Sequence, residues 1–205
     1  MTIIGKEAEV YEKELREEIT TSLIGNDLRD FLWWVLKANL YLKFKDNYNN
    51  DDALKYINKA LKIDPLDFDA LILKGDILLE LEKEIEALIA YDMASIVKPD
   101  DIIPLVLKGN TLYKIGKYSD ALDVYDAALE IKQDDAFTWY NKASVLFRLE
   151  EYKSALDTCN EALNIKPDYN YALMLQETIN RERAIIVWKE IRDLFAKVID
   201  RRDSS

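Results

Sequence analysis

IIPLVLKGNTLYKIGKYSDALDVYDAALEIKQDD, residues 102–135, contains two apolar patterns separated by a turn. In the first, Leu105, Lys108-Gly109 and Leu112-Tyr113 recur at intervals of three and four. In the second, Ala121-Leu122, Tyr125, Ala128-Leu129 and Ile131 do the same. That interval is the period of an amphipathic helix, so the stretch predicts two helices joined at Gly116-Lys117-Tyr118.

The same stretch recurs on either side. Alanines stand at Ala53, Ala87, Ala121 and Ala155, and a second set at Ala60, Ala94, Ala128 and Ala162, each 34 residues from the last. Pro65, Pro99 and Pro167 keep the interval, with Gln133 in the one missing place. Three classes of position sharing one period define an internal repeat. The small residues have a packing task. Gly75, Gly109 and Ala143, midway along the first helices, are expected to face Ala87, Ala121 and Ala155, letting helix axes approach to about 8 Å. The second alanine set is expected to meet the next repeat. The prolines stop the second helices, because proline cannot continue a helix.

Composition agrees with an all-helical chain and narrows its partners. Only five glycines and four prolines occur in 205 residues, 49% of them apolar and 33% charged. The 28 Lys/Arg against 39 Asp/Glu give a formal net charge of −11, which opposes phosphate backbones, so no nucleic-acid partner is expected. A basic or apolar partner suits the bulk charge better. The segment 181–203 runs the other way, with seven Lys/Arg against five Asp/Glu, too interleaved for a nucleic-acid patch.

Catalysis finds no support. There is no histidine, the commonest general base and metal ligand. The single cysteine, Cys159, falls on an apolar position of its helix and reads as core. Lys108-Gly109-Asn110 lies inside a helical pattern and is no phosphate loop. Neither an enzyme activity nor a cofactor nor a metal site is expected. The N-terminus turns acidic at once without the apolar core of a signal peptide. The most apolar run, Phe31 to Leu42, is short of a membrane span and holds Lys37. A cytoplasmic location without a membrane partner is expected.

The order of residues within the unit resembles the tetratricopeptide repeat (TPR). The fourth copy is nearest, with Trp139, Ala143, Leu146, Tyr152, Ala155, Cys159, Ala162 and Pro167. The second gives Leu71, Gly75, Leu78, Ala87, Tyr91, Ala94 and Pro99. The first matches only in its second helix (Ala53, Ile57, Ala60, Pro65), with Tyr41 at the small position. The resemblance implies an all-α fold: an α-solenoid, a right-handed superhelix of antiparallel helix pairs. The chain then divides, as a single domain, into an N-terminal capping helix region 1–33, a degenerate repeat 34–67, and repeats 68–101, 102–135 and 136–169. A C-terminal half-repeat and capping helix would occupy 170–205.

Solenoid ends need atypical helices. Ala8, Tyr11, Leu15, Ile19 and Leu23 predict one over 5–24, broken at Gly25-Asn26-Asp27, and a second running to about Lys45. Trp33-Trp34 either fills the end of the array or anchors a partner. At the other end Ala184, Val187, Trp188, Ile191, Leu194, Phe195, Val198 and Ile199 form an apolar stripe. It leaves three uses open: a cap over the fourth repeat, a homodimer through 184–199, or an occupant of the chain's own groove.

Functionally, the resemblance implies a protein-interaction scaffold or adaptor whose first helices line a concave groove for a peptide or partner protein. In this chain the matching positions include Ile72, Asp76 and Leu79, then Val106, Asn110 and Tyr113, then Phe137, Tyr140, Ser144 and Phe147, then Tyr171. TPR proteins that grip a chaperone's C-terminal carboxylate use two asparagines and several cations. Asn110 and Asn141 match the asparagines, but the cationic places hold Val106, Tyr171 and Leu175, so a carboxylate would lose its water uncompensated. The expected ligand is therefore apolar or aromatic. The alternative is a structural assembly subunit that self-associates through its C-terminal amphipathic helix.

Overall fold

The computed structural model describes Lys13, residues 26–43 and residues 50–203. The predicted helix over 5–24 lies, apart from Lys13, outside them, as do Phe44 and the side chains of Tyr41 and of residues 195–205. The described residues form nine helices and no strand. They are α1 (Asn26–Lys43), α2 (Asn50–Ile63), α3 (Phe68–Glu80), α4 (Glu84–Val97), α5 (Ile103–Lys114), α6 (Tyr118–Ile131), α7 (Ala136–Arg148), α8 (Tyr152–Ile165) and α9 (Asn170–Asp203). The fold is an all-α helical-repeat solenoid. Helix α1 crosses residue 33, where the 34-residue frame places the end of the capping region.

The turns explain why the helices begin and stop where they do. The carboxylate of Asp67 accepts from the Ala70 amide at 2.7 Å, and that of Asp135 from the Thr138 amide at 2.8 Å. Each caps the first turn of a helix, α3 and α7. Asp101, one period between them, accepts from the Ile103 amide at 2.9 Å, with Pro104 following in the first turn. At the other end of the first helices one residue per copy adopts the left-handed conformation: Glu82 (φ 57°), Gly116 (φ 78°) and Glu150 (φ 61°). Around Glu82 the Lys83 amide donates to Leu78 O and the Glu82 amide to Leu79 O. Around Glu150 the amides of Glu151 and Glu150 donate likewise to Leu146 O and Phe147 O. This is the Schellman closure of a helix end, which satisfies carbonyls the helix leaves over.

The chain forms two compact units, Met1–Ile115 and Gly116–Ser205. In the first, α1 to α5 pack in chain order, each on the next. Phe31 and Ala38 of α1 share a core with Ala53, Ile57 and Ala60 of α2 and Ala70, Leu73 and Ile77 of α3. Ile57, Leu71, Ile77 and Leu78 are fully buried, each contributing about 1.5–3 kcal/mol. Trp34 stacks on Tyr56 with ring centroids 5.6 Å apart, and Lys59 Nζ lies 3.9 Å above the Trp34 ring. Trp33 and Trp34 are both half-buried, and Trp34 packs against this core.

Gly75 meets a ring of the opposite helix. A side-chain carbon there would fall 2.3 Å from Cε1 of Tyr91, so the glycine makes room for the Tyr91 ring. Ala87 clusters with Leu78, Ala90 and Tyr91. Ala94 of the second alanine set packs on Phe68 and Leu71 of its own repeat. An alternation of small and large residues fills an antiparallel helix pair better than small facing small.

In the second unit α6 packs on α7, α7 on α8 and α8 on α9. Its core joins Ala143 and Leu146, Ala155, Cys159 and Ala162, and Ala172 and Ile179 of α9. The Cys159 thiol is buried and donates to Ala172 O at 3.1 Å, and burial pushes its pKa up to about 11. It is a core group, inert as a nucleophile. Helix α9 runs unbroken for 34 residues, about 50 Å. Ala172 and Ile179 are fully buried, whereas every residue from 183 to 194 is exposed.

A polar ladder follows the same period. Lys108 Nζ meets Asp92 Oδ1 at 2.5 Å, Lys142 pairs with Asp126, and Gln176 Nε2 donates to Asn160 Oδ1 at 2.7 Å. Each rung joins the second helix of one copy to the first helix of the next.

Candidate functional site

In the first unit the predicted positions divide between packing and exposure. Ile72, Asp76 and Leu79 follow one another along α3 at spacings of four and three. Ile72 and Leu79 are half-buried and pack against the Leu78–Tyr91 cluster, so the core shares them. Asp76 accepts the hydroxyl hydrogen of Tyr91 at 2.7 Å. Burial raises the Asp76 carboxyl above its ordinary value against the opposing pull of that hydrogen bond, and burial likewise raises the Tyr91 phenol. On α5, Val106 is buried and offers a ligand no surface. Asn110 and Tyr113 are half-buried. Lys114 pairs with Glu84 at 3.4 Å.

The second unit brings the aromatic positions together. On α7, Phe137, Tyr140, Ser144 and Phe147 recur at three and four, with Asn141 beside them. The Tyr140 ring lies 5.5 Å from that of Tyr169 and 6.1 Å from that of Tyr171, and Tyr169 and Tyr171 are 5.9 Å apart. Tyr169 thus meets both other rings edge to face, an arrangement each ring's quadrupole favours, while Tyr140 and Tyr171 are tilted to one another. Tyr171 is 63% exposed and Phe137 46%. Ser144 Oγ donates within its helix to Tyr140 O at 2.9 Å. Phe147 rests on Tyr152 at 5.7 Å and packs, with Tyr140, against the core of the unit.

Tyr169 was absent from the sequence expectation. Its signal was present, because Asp67, Asp101 and Asp135 occupy helix starts one period apart and Tyr169 replaces the fourth. A capping carboxylate has been exchanged for a ring. Burial first, then the neighbouring Tyr140, Tyr171 and Asp135, raises the Tyr169 phenol above its ordinary value, so it stays neutral at neutral pH. The face can offer rings and hydroxyls to an apolar or aromatic side chain.

Among the described residues no cluster of three metal-ligating side chains occurs, and no helix is long and apolar enough to cross a membrane.

Profiles described as tetratricopeptide repeat match residues 43–101 and 136–169, and one described as TPR repeat matches 109–150. Among solved structures the chain is similar to YrrB, "a TPR protein with an unusual peptide-binding site". The identity is 22% and the TM-score 0.62, over 74% of this chain and 75% of that one. It is also similar to MamA (residues 41 to the end) from Desulfovibrio magneticus RS-1. There the identity is 19% and the TM-score 0.66, over 88% and 98% of the two chains. A third likeness is the first TPR of Spaghetti (RPAP3) bound to the HSP90 peptide SRMEEVD, with 16% identity and a TM-score of 0.54, over 57% and 93%. No curated protein matches the chain in sequence.

Proposed function

The chain belongs to the tetratricopeptide-repeat family, and we propose that it holds a peptide or segment of a partner protein on the aromatic face of α7 and the start of α9. Repeats of this family are in general interaction modules without catalysis; YrrB has an unusual peptide-binding site, and the first TPR of Spaghetti is bound to an HSP90 peptide. The observation that carries the reading is the tyrosine trio, Tyr140, Tyr169 and Tyr171, flanked by exposed Phe137. Exposed rings backed by a rigid helix pair lose little freedom on binding and serve as anchors, each worth about 2 kcal/mol or more at the centre of an interface. The ligand is apolar or aromatic rather than an acidic chain end, because Val106, Tyr171 and Leu175 stand where cations would be needed. Affinity capture from a lysate with wild type and a Phe137→Ala/Tyr171→Ala chain tests it. Partners retained by wild type and lost by the variant support the reading; identical partners refute it.

A second reading has its own observation. Val187, Trp188, Ile191 and Leu194 on the distal half of α9 are exposed, Trp188 by 71%, and Val187, Ile191 and Leu194, four and three apart, have the spacing of a helix-pairing seam. Self-association through this helix is the expected result.

A further inference from the structure

One helix breaks the polar rule of the repeat. Ile85, Ile89, Met93 and Ile96 lie along one face of α4 at spacings of four, four and three, and all are exposed, Ile96 by 79%. One period earlier the same places hold Asp51, Lys55, Lys59 and Lys62. One period later they hold Ser119, Asp123, Ala127 and Glu130, and two later Lys153, Asp157, Glu161 and Asn164. The other three copies put polar or small residues where a helix meets water. Copy two alone carries four large apolar side chains there, over about 16 Å of helix. A contiguous exposed stripe of this kind marks an interaction surface.

The chain carries a second uncovered face, the distal half of α9. We propose that this half of α9 in one copy docks along the α4 stripe of a second copy. The inference rests on the reading that α9 mediates self-association, and it names what α9 meets. Charge favours the match. The α4 stripe is set among Glu82, Glu86, Asp100 and Asp101, against Lys83 and Lys98, while Glu84 lies off the stripe and pairs with Lys114. Residues 181–203 are a basic stretch in a chain of net charge −11. By the helical period, Arg181, Arg183 and Arg192 stand at the edges of the α9 stripe. Two α4 stripes would instead bring acids against acids.

Size agrees too. The apolar pattern of 184–199 is at least as long as the α4 stripe. The exposed parts of the four α4 side chains amount to on the order of 400 Å², and Trp188 adds about 150–250 Å². With their surroundings, the two faces bury on the order of 1,000 Å² in all, enough for a specific interface. Because donor and acceptor are different surfaces, the contact is heterologous. It closes as a reciprocal pair or a larger ring, or continues as an open chain of copies.

Sedimentation velocity of four samples of the full chain decides it: wild type, Ile89→Glu, Trp188→Glu, and the two variants mixed in equal amounts. Wild type is expected to associate as concentration rises, into a reciprocal pair or a larger assembly, and each variant alone to remain a monomer. The mixture should form a one-to-one dimer, because Trp188→Glu keeps a competent α4 and Ile89→Glu a competent α9. Circular dichroism melts confirm that both variants fold, and Ile96→Lys with Val187→Asp supplies a second pair. Three results would overturn the proposal: a monomeric wild type, a mixture that stays monomeric, or an Ile89→Glu chain that associates as wild type does. The last would leave self-association through α9 standing while removing its contact with α4.

Discussion

Tyr91 of α4 donates its hydroxyl hydrogen to Asp76 of α3 at 2.7 Å, and its ring fills the space that Gly75 leaves on the same helix. A buried phenol, its acceptor and its glycine cradle are thus one packing unit, and two experiments follow from it.

Gly75→Ala should destabilise the chain by about 1–3 kcal/mol, because the new methyl collides with a ring that is itself fully buried. The urea midpoint should fall, and Tyr91→Leu in the same chain should recover part of the loss. An unchanged midpoint would show that the ring is free to move aside.

Asp76 gives a pH signature. Burial raises its carboxyl above the ordinary 3.8, so the folded chain holds the proton more tightly than the unfolded one. Its contribution to stability is therefore complete below 3.8 and is lost as pH rises through the folded value. Asp76→Asn keeps an acceptor for the Tyr91 hydroxyl without titrating. Urea unfolding of both chains from about pH 3 to about pH 7 should show wild type losing ground to the variant as pH rises. Parallel curves would contradict the buried carboxyl.

The ladder is a weaker device. Lys142 is largely covered but Asp126 is half-exposed, so a double-mutant cycle with alanine at both places should give a coupling of no more than about 1 kcal/mol. High salt should reduce it. A coupling of several kcal/mol would mean that the pair is far less hydrated than its exposure indicates.

The left-handed turn residues separate backbone strain from packing. A side-chain carbon on Gly116 would meet nothing within 4 Å, but φ is +78°, so Gly116→Ala should cost about 1–2 kcal/mol from conformation alone. Glu150→Gly, at φ 61°, should leave the thermal midpoint unchanged or raise it slightly.

Much of the fold was legible because a few positions tolerate only one kind of residue. Ala121 and Ala155 are fully buried in helix contacts, and Pro99 and Pro167 follow helix ends. Their spacing therefore survives while the rest of the sequence varies. The partner of Gly75 was not legible, since spacing along one helix does not say which turn of the opposite helix it meets. The rungs Asp92–Lys108 and Asp126–Lys142 were missed for a related reason: they join residues across a turn, outside any one helical pattern. Tyr140 and Tyr171 were readable as first-helix positions, and Tyr169 was visible only as a gap in the series of aspartates at helix starts. Val106 shared the same register and is buried. Amphipathic spacing identifies an apolar face without saying what covers it, which is why the stripe on α9 needed coordinates.

The most direct test of a peptide-holding face on α7 and α9 is a selection of random displayed peptides on the full chain. Titration calorimetry of the enriched sequences against wild type and Phe137→Ala/Tyr171→Ala follows. The enriched peptides should carry a large aliphatic or aromatic anchor, and their affinity should fall by about 30-fold or more in the variant, about 2 kcal/mol, with its thermal midpoint unchanged. Peptides that bind both chains equally, or a selection dominated by acidic C-termini, would contradict it.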